Sequence, residues 1–213
     1  MEDIKNYKAA SRSISKGQVL PRPYSFIEGE IIVNEMAESL AMDLMRKGLY
    51  TNKMVLTISY EKVSEQADYR GLTREDYYGR RVPIHGVGTL NLDHPTNIAN
   101  VIIKKMLDLY KRIGNPKLLI RRVNIRASSF YKGHEESSPI RQLDFLDYRD
   151  RVLDKGACKR PLKNKDIAKF QRLQESILRL KERYGKNIIL RGVNFEKGAT
   201  MRDRNGQIGG HRA

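Results

Sequence analysis

Leu119-Ile120-Arg121-Arg122-Val123-Asn124-Ile125-Arg126-Ala127-Ser128, residues 119–128, is the stretch whose reading decides the fold. Leu119, Val123, Ile125 and Ala127 fall on one parity, and Arg122, Asn124, Arg126 and Ser128 on the other. That period of two marks a strand with one buried face. Arg121 is the exception, a cation on the apolar parity. Immediately upstream, Gly114 and Pro116 end a helix that Thr96 can cap and whose stripe is Ile98, Ile102, Met106, Leu109 and Ile113. Residues 81–91 read as an extended segment, weakened by Pro83, Gly86 and Gly88 and therefore placed at a sheet edge.

Further upstream, residues 65–80 form a polar excursion with Tyr69, Tyr77 and Tyr78, a long hairpin connection. Before it, Met54, Leu56, Ile58 and Tyr60 alternate with Val55, Thr57, Ser59 and Glu61, a second half-buried strand. A helix opens at Ser25, carries Ile32, Met36, Leu40 and Leu44 on one face with Glu35, Glu38, Asp43 and Arg46 elsewhere, and stops at Gly48. Residues 11–20 suit a strand stopped by Pro21 and Pro23. The order strand, helix, strand, strand, helix, strand predicts an α+β fold, a split βαββαβ four-stranded sheet with both helices on one face and the other face open.

Outside that unit, residues 1–10 are polar and aperiodic, the remnant of a connection to something upstream. The expected division is a linker over 1–11, the sheet domain over 12–131, a polar linker over 132–163, and a C-terminal helix with a basic tail over 164–213. That helix takes its spacing from Ile167, Phe170, Leu173, Ile177 and Leu180 and ends at Gly185; the glycine-rich tail is expected to order only if it docks.

The chain has 213 residues and a formal net charge of +16, an excess that favours polyanionic partners, nucleic acid or an anionic membrane surface. No apolar run reaches the roughly 20 residues of a membrane span, so a soluble, cytoplasmic protein is expected. Cys158 alone can neither close an internal disulfide nor build a zinc site, and His85, His94, His134 and His211 are too scattered in sequence for a metal motif. The acidic pairs Glu75 with Asp76, Glu135 with Glu136, and Asp144 with Asp147 lie in polar stretches and read as solvated loop charges. The open sheet face offers more. Arg122, Asn124 and Arg126 beside Ser13, Ser15, Thr57 and Ser59 would present cations flanked by small donors, suited to phosphates, the alternative being a merely solvated face.

The run Arg12-Ser13-Ile14-Ser15-Lys16-Gly17-Gln18-Val19-Leu20, the helix through Met36 and Leu40, and the strand Ile120-Arg121-Arg122-Val123-Asn124-Ile125-Arg126-Ala127 resemble the little-finger domain of Y-family translesion DNA polymerases. The tail Arg204-Asn205-Gly206-Gln207-Ile208-Gly209-Gly210-His211 resembles the ending of the UmuC-like branch of Gram-positive bacteria. The resemblance implies a domain that lays its sheet along primer-template DNA and contacts mainly the backbone, with Arg122, Arg126, Ser13 and Ser15 as phosphate contacts. It also implies DNA repair within the SOS response. Nucleotidyl transfer would belong to a magnesium-dependent palm of the parent polymerase, so this fragment alone is expected to have no catalytic residue and no cofactor of its own.

Gln142-Leu143-Asp144-Phe145-Leu146 resembles the peptide by which bacterial polymerases bind the sliding clamp, with Gln142 at the pocket mouth and Leu143, Phe145 and Leu146 as anchors. The expected partners are therefore duplex or primer-template DNA and the clamp, with no membrane. Two rivals stand beside this reading, a freestanding RNA-binding α/β module and a protein-interaction adaptor working through residues 142–146 and the C-terminal helix.

Overall fold

The computed structural model describes residues 13–65, 69–132, 164–208 and 211–212. Its centre is a four-stranded antiparallel sheet of β1 (Ile14–Tyr24), β2 (Leu49–Tyr60), β5 (Gly86–Thr96) and β6 (Ile120–Lys132), in the order β1-β6-β2-β5. Helices α1 (Phe26–Arg46) and α2 (Ala99–Ile113) join β1 to β2 and β5 to β6, giving the expected βαββαβ order. A small two-stranded ribbon, β3 (Thr73–Glu75) with β4 (Arg81–Pro83), rises from the β2–β5 connection.

The core lies between one sheet face and the two helices. Ile32, Met36, Leu40 and Leu44 of α1 and Ile102, Met106 and Leu109 of α2 are buried against Met54, Leu56, Ile58, Val123, Ile125 and Ala127 of the central strands. Each such side chain contributes roughly 1.5–3 kcal/mol by leaving water. Tyr110 is enclosed as well; its hydroxyl donates to the Phe26 carbonyl at 2.7 Å and its ring stacks on Phe26 at 4.5 Å, fastening α2 to the first turn of α1.

Local chemistry explains where the elements begin and end. Ser25 caps α1 in a reciprocal box, its Oγ accepting from the Glu28 amide at 3.3 Å while Glu28 Oε2 accepts from the Ser25 amide at 3.0 Å. Gly48, at φ +61°, ends the helix as expected. The expected stop of the first strand at Pro21 is corrected, because β1 runs on to Tyr24. As an edge strand it pairs only with β6, and a register shift between Val19 and Tyr24 takes up the prolines, which have no N–H to leave unpaired. Gly86 and Gly88 belong to β5 rather than weakening it. A Cβ on Gly88 would lie 2.8 Å from Leu109 Cδ1 and Ile113 Cγ2, so its bare backbone lets α2 close on the sheet.

Two further expectations are revised. Thr96 does not cap α2; Ile98 takes that position without a side-chain bond, and the Ala99 amide donates instead to Gln174 Oε1, 2.8 Å away on the C-terminal helix α3 (Asn164–Tyr184). Gln174 Nε2 completes the grip by donating to the Asn97 carbonyl at 2.9 Å. The apolar stripe of α3 is also rotated from its expected position, since Leu173 and Leu180 are exposed while Gln174 and Leu178 are buried. Polar partners draw that face inward, Gln174 to α2 and Lys181 to Glu38, 3.5 Å away on α1.

The tail docks on α1. Glu35, fully buried, accepts from Asn194 Nδ2 at 3.1 Å and from the Thr200 amide, Thr200 Oγ1 and the Met201 amide, each at 3.0 Å. Arg204 stands 3.5 Å from the same carboxylate. One acidic side chain thus gathers a 3-10 turn (Gly192–Phe195) and the short helix α4 (Met201–Asn205). Glu35 and Glu38, read from sequence as lying off the apolar face, are the docking points. The tail ends in a ribbon of β7 (Gln207–Ile208) and β8 (His211–Arg212).

Replacing Glu35 by Ala strands buried donors and is expected to weaken docking by about 3–5 kcal/mol. Limited trypsin digestion should then cut at Lys197, Arg202 and Arg204 while residues 13–132 stay protected; wild-type protection of those bonds in the variant would refute the role of Glu35.

Glu28 gives a pH test. Its hydrogen bond with Arg22, against opposing burial, lowers its carboxyl to about 2 from an ordinary 4.5. The folded-state value is the depressed one, so this stabilisation is complete above about 4.5 and lost as pH falls through about 2. Urea titrations of wild type and Glu28→Gln should diverge at neutral pH and converge on acidification across that window. A constant gap would show that Glu28 does not carry this linkage.

Candidate nucleic-acid interface

The strand register assembles the open face residue by residue. Ser15, Arg126, Val55 and Thr89 lie side by side in one row; Gly17, Asn124, Thr57 and Val87 form the next; Val19, Arg122 and Ser59 form the third. Beyond the first row, Lys53 stands opposite both Ser128 and Asn91. Ser13, just ahead of β1, is exposed. The structure therefore brings Ser15, Thr57, Ser59, Arg122, Asn124 and Arg126 onto one surface with Ser13 at its border. Lys53, Thr89 and Asn91 join them, and extending the alternation of β2 by one residue would have found Lys53.

The anomaly at Arg121 has a structural cause. Arg122 faces Val19 and Ser59, yet Tyr24 and Tyr60 both pair next with Ile120. Arg121 is the extra residue of a bulge and reaches Glu61 at 3.5 Å. The bulge lets Ile120, rather than the expected Leu119, enter the core while Arg122 stays outside.

The cations of the open face stand apart from its acids. Arg122 and Arg126 are exposed and form no ion pair among the described residues, and the rows contain no carboxylate. Four residues along a strand set the two arginines roughly 13 Å apart. Between them Asn124 lies across Gly17, where an added Cβ would come within 2.7 Å of Asn124 Nδ2. Glycine keeps the edge low, so a bulky chain can approach the amide. Just ahead of β5, His85 contacts Arg74; burial, then the charges of Arg74 and Arg122, pull its imidazole below the ordinary value. The rows carry no aromatic ring.

Gln142, Leu143, Asp144, Phe145 and Leu146 lie outside the described residues, as do the acidic pairs at 135–136 and 144–147 and Cys158. Among the described residues no group of three or more His, Cys, Asp or Glu gathers to hold a metal ion, and no helix is long and apolar enough to cross a membrane.

Residues 11–145 match the model of the impB/mucB/samB family C-terminal domain. No curated protein sequence matches the chain. Among solved structures the chain is similar to one from the complex of beta-clamp processivity factor and the little finger domain of PolIV, with a TM-score of 0.38 and 11% identity, covering 63% of this chain and 98% of that one.

Proposed function

The chain belongs to the impB/mucB/samB family by its C-terminal domain, and from that premise we propose that its open sheet face grips duplex DNA by the backbone within a translesion DNA polymerase. The observation that carries the reading is the pair of unpartnered arginines, Arg122 and Arg126, set among Ser15, Thr57, Ser59 and Asn124 with no acid in the rows. Guanidinium groups neutralise and fork to phosphate oxygens, and short hydroxyl and amide side chains donate without holding the duplex away. Such contacts fix position without reading bases, which suits a protein that must follow a primer end through any sequence. A sheet that reads single-stranded RNA would present rings for stacking on its strands, and these rows have none.

The finer reading places the chain in the UmuC-like branch known from Gram-positive bacteria, serving damage tolerance in the SOS response. Nucleotidyl transfer and its magnesium belong in that reading to a palm domain of the parent. The carboxylates of α1 are each engaged by Lys or Arg. In the same reading residues 132–163 act as a tether, and Gln142, Leu143, Asp144, Phe145 and Leu146 within it bind the sliding clamp. A tether raises the local concentration of the polymerase at the primer end without requiring a tight DNA site.

Duplex binding followed by fluorescence anisotropy at several salt concentrations tests the grip. Neutralising both arginines (Arg122→Ala with Arg126→Ala) should flatten the plot of log affinity against log salt by about 1.8, at about 0.9 for each phosphate contact. An unchanged slope in a folded double variant removes the open face from the interface.

The tether is tested separately. Replacing Gln142, Leu143 and Phe145 by Ala should abolish calorimetrically measured clamp binding while leaving duplex affinity and melting temperature unchanged. Equal clamp binding by both proteins refutes the motif, and a large fall in melting temperature shows that these residues pack on their own domain.

A further inference from the structure

The β3–β4 ribbon contributes nothing to the core through its tip, yet the tip is built with care. Asp76 organises it. Its Oδ1 accepts from the Tyr78 and Arg80 amides, both at 2.9 Å, and its Oδ2 from Arg80 Nε at 2.8 Å. Its own amide donates to the Arg80 carbonyl at 2.9 Å, its carbonyl accepts from the Gly79 amide at 3.0 Å, and Gly79 turns the chain at φ +70°. So ordered a turn of five residues is not a slack loop. What it presents is Tyr77, 96% exposed, and Tyr78, 75% exposed, edge to face at 5.4 Å. The Arg80 guanidinium lies 4.9 Å over the Tyr78 ring.

Two aromatic rings held in water on a rigid support have no folding role here. Their surroundings indicate the partner. Arg70, Arg74, Arg80 and Arg81 outnumber Glu75 and Asp76 along the ribbon, and Asp76 is already consumed by Arg80. The root lies near the open face, since Arg74 contacts His85, whose imidazole also feels the charge of Arg122. Rings amid cations, next to a surface suited to phosphates, match the requirements of an unpaired nucleotide, a flat base to stack and an anionic backbone to neutralise.

We propose that the Tyr77–Tyr78 tip stacks on unpaired bases of a DNA strand leaving the duplex held on the open face. This inference rests on the duplex-binding reading above and adds a division of labour: the sheet holds paired DNA by phosphates, and the ribbon tip marks where pairing ends. Stacking tolerates any base, so the tip adds affinity for a junction without adding sequence preference.

The test compares the full chain on a blunt duplex and on the same duplex extended by 5′ or 3′ single-stranded overhangs carrying 2-aminopurine. Wild type should bind one overhang substrate about tenfold more tightly than the blunt duplex and change the 2-aminopurine fluorescence. Tyr77→Ala with Tyr78→Ala should lose that preference and the fluorescence change while keeping blunt-duplex affinity; Tyr77→Phe with Tyr78→Phe should keep all three. Equal affinity of wild type for blunt and overhang substrates, or a preference that survives the double Ala variant, overturns the tip assignment while leaving the sheet reading intact. Loss of blunt-duplex binding in the Arg122 and Arg126 variant, with the overhang preference preserved, supports both. Wild type that binds neither substrate refutes the duplex reading itself and the tip assignment with it.

Discussion

The structure turns on the burial of β6 between two neighbours. It is the only strand of the described sheet that pairs with both β1 and β2, so its parity sets which way three strands face. Val123, Ile125 and Ala127 must meet α1 and α2, which leaves Arg122, Asn124 and Arg126 no other side to occupy. A one-residue slip would bury two arginines and expose the apolar set, a cost no local compensation could offset. The bulge at Arg121 leaves the alternation from Arg122 to Ser128 in register. The core and the candidate interface are therefore two faces of one constraint.

A second constraint couples the sheet unit to the chain's far end. Glu35 and Glu38 sit beside the apolar stripe of α1, where a free carboxylate would be costly to bury. Donors from residues 194–201 satisfy Glu35, Lys181 and Arg191 pair with Glu38 by charge at 3.5 and 3.3 Å, and Gln174 supplies the acceptor that α2 lacks at its N-terminus. The C-terminal segment is thus part of how the helical layer meets its own hydrogen-bonding needs. It packs on the helices and leaves the open sheet face uncovered.

Much of this was legible in sequence because it depends on periodicity. The alternation from Met54 to Tyr60, the four-residue stripe of α1 and the strand at 123–127 each report burial directly, and they bring Arg122, Asn124, Arg126, Thr57 and Ser59 to one surface. What escaped depends on partners distant in sequence. Glu35 looks like any solvent-facing helix residue until Thr200 and Met201 arrive from 165 and 166 residues away. Thr96 is a sound cap by local rules, but Gln174, 75 residues off, holds the Ala99 amide. The prolines of β1 break a strand only where a ladder partner waits on both sides, and edge position is a property of the sheet. Likewise, the polar stretch around Asp76 gives no sign by composition that its hydrogen bonds close a rigid turn.

Charge partition ties these features to function. All five acidic residues of α1 are matched on the helical side: Glu28 by Arg22, Glu30 by Lys111, Glu35 by Arg204, Glu38 by Lys181 and Arg191, and Asp43 by Lys16 and Arg46. On the other face Lys53, Arg122 and Arg126 contribute to the net charge of +16 without a carboxylate in their rows. In the proposed duplex grip a phosphate arriving at the open face would displace water and mobile anions and break no internal ion pair. Counterions released from DNA would then supply the driving force, which falls with salt and ignores sequence.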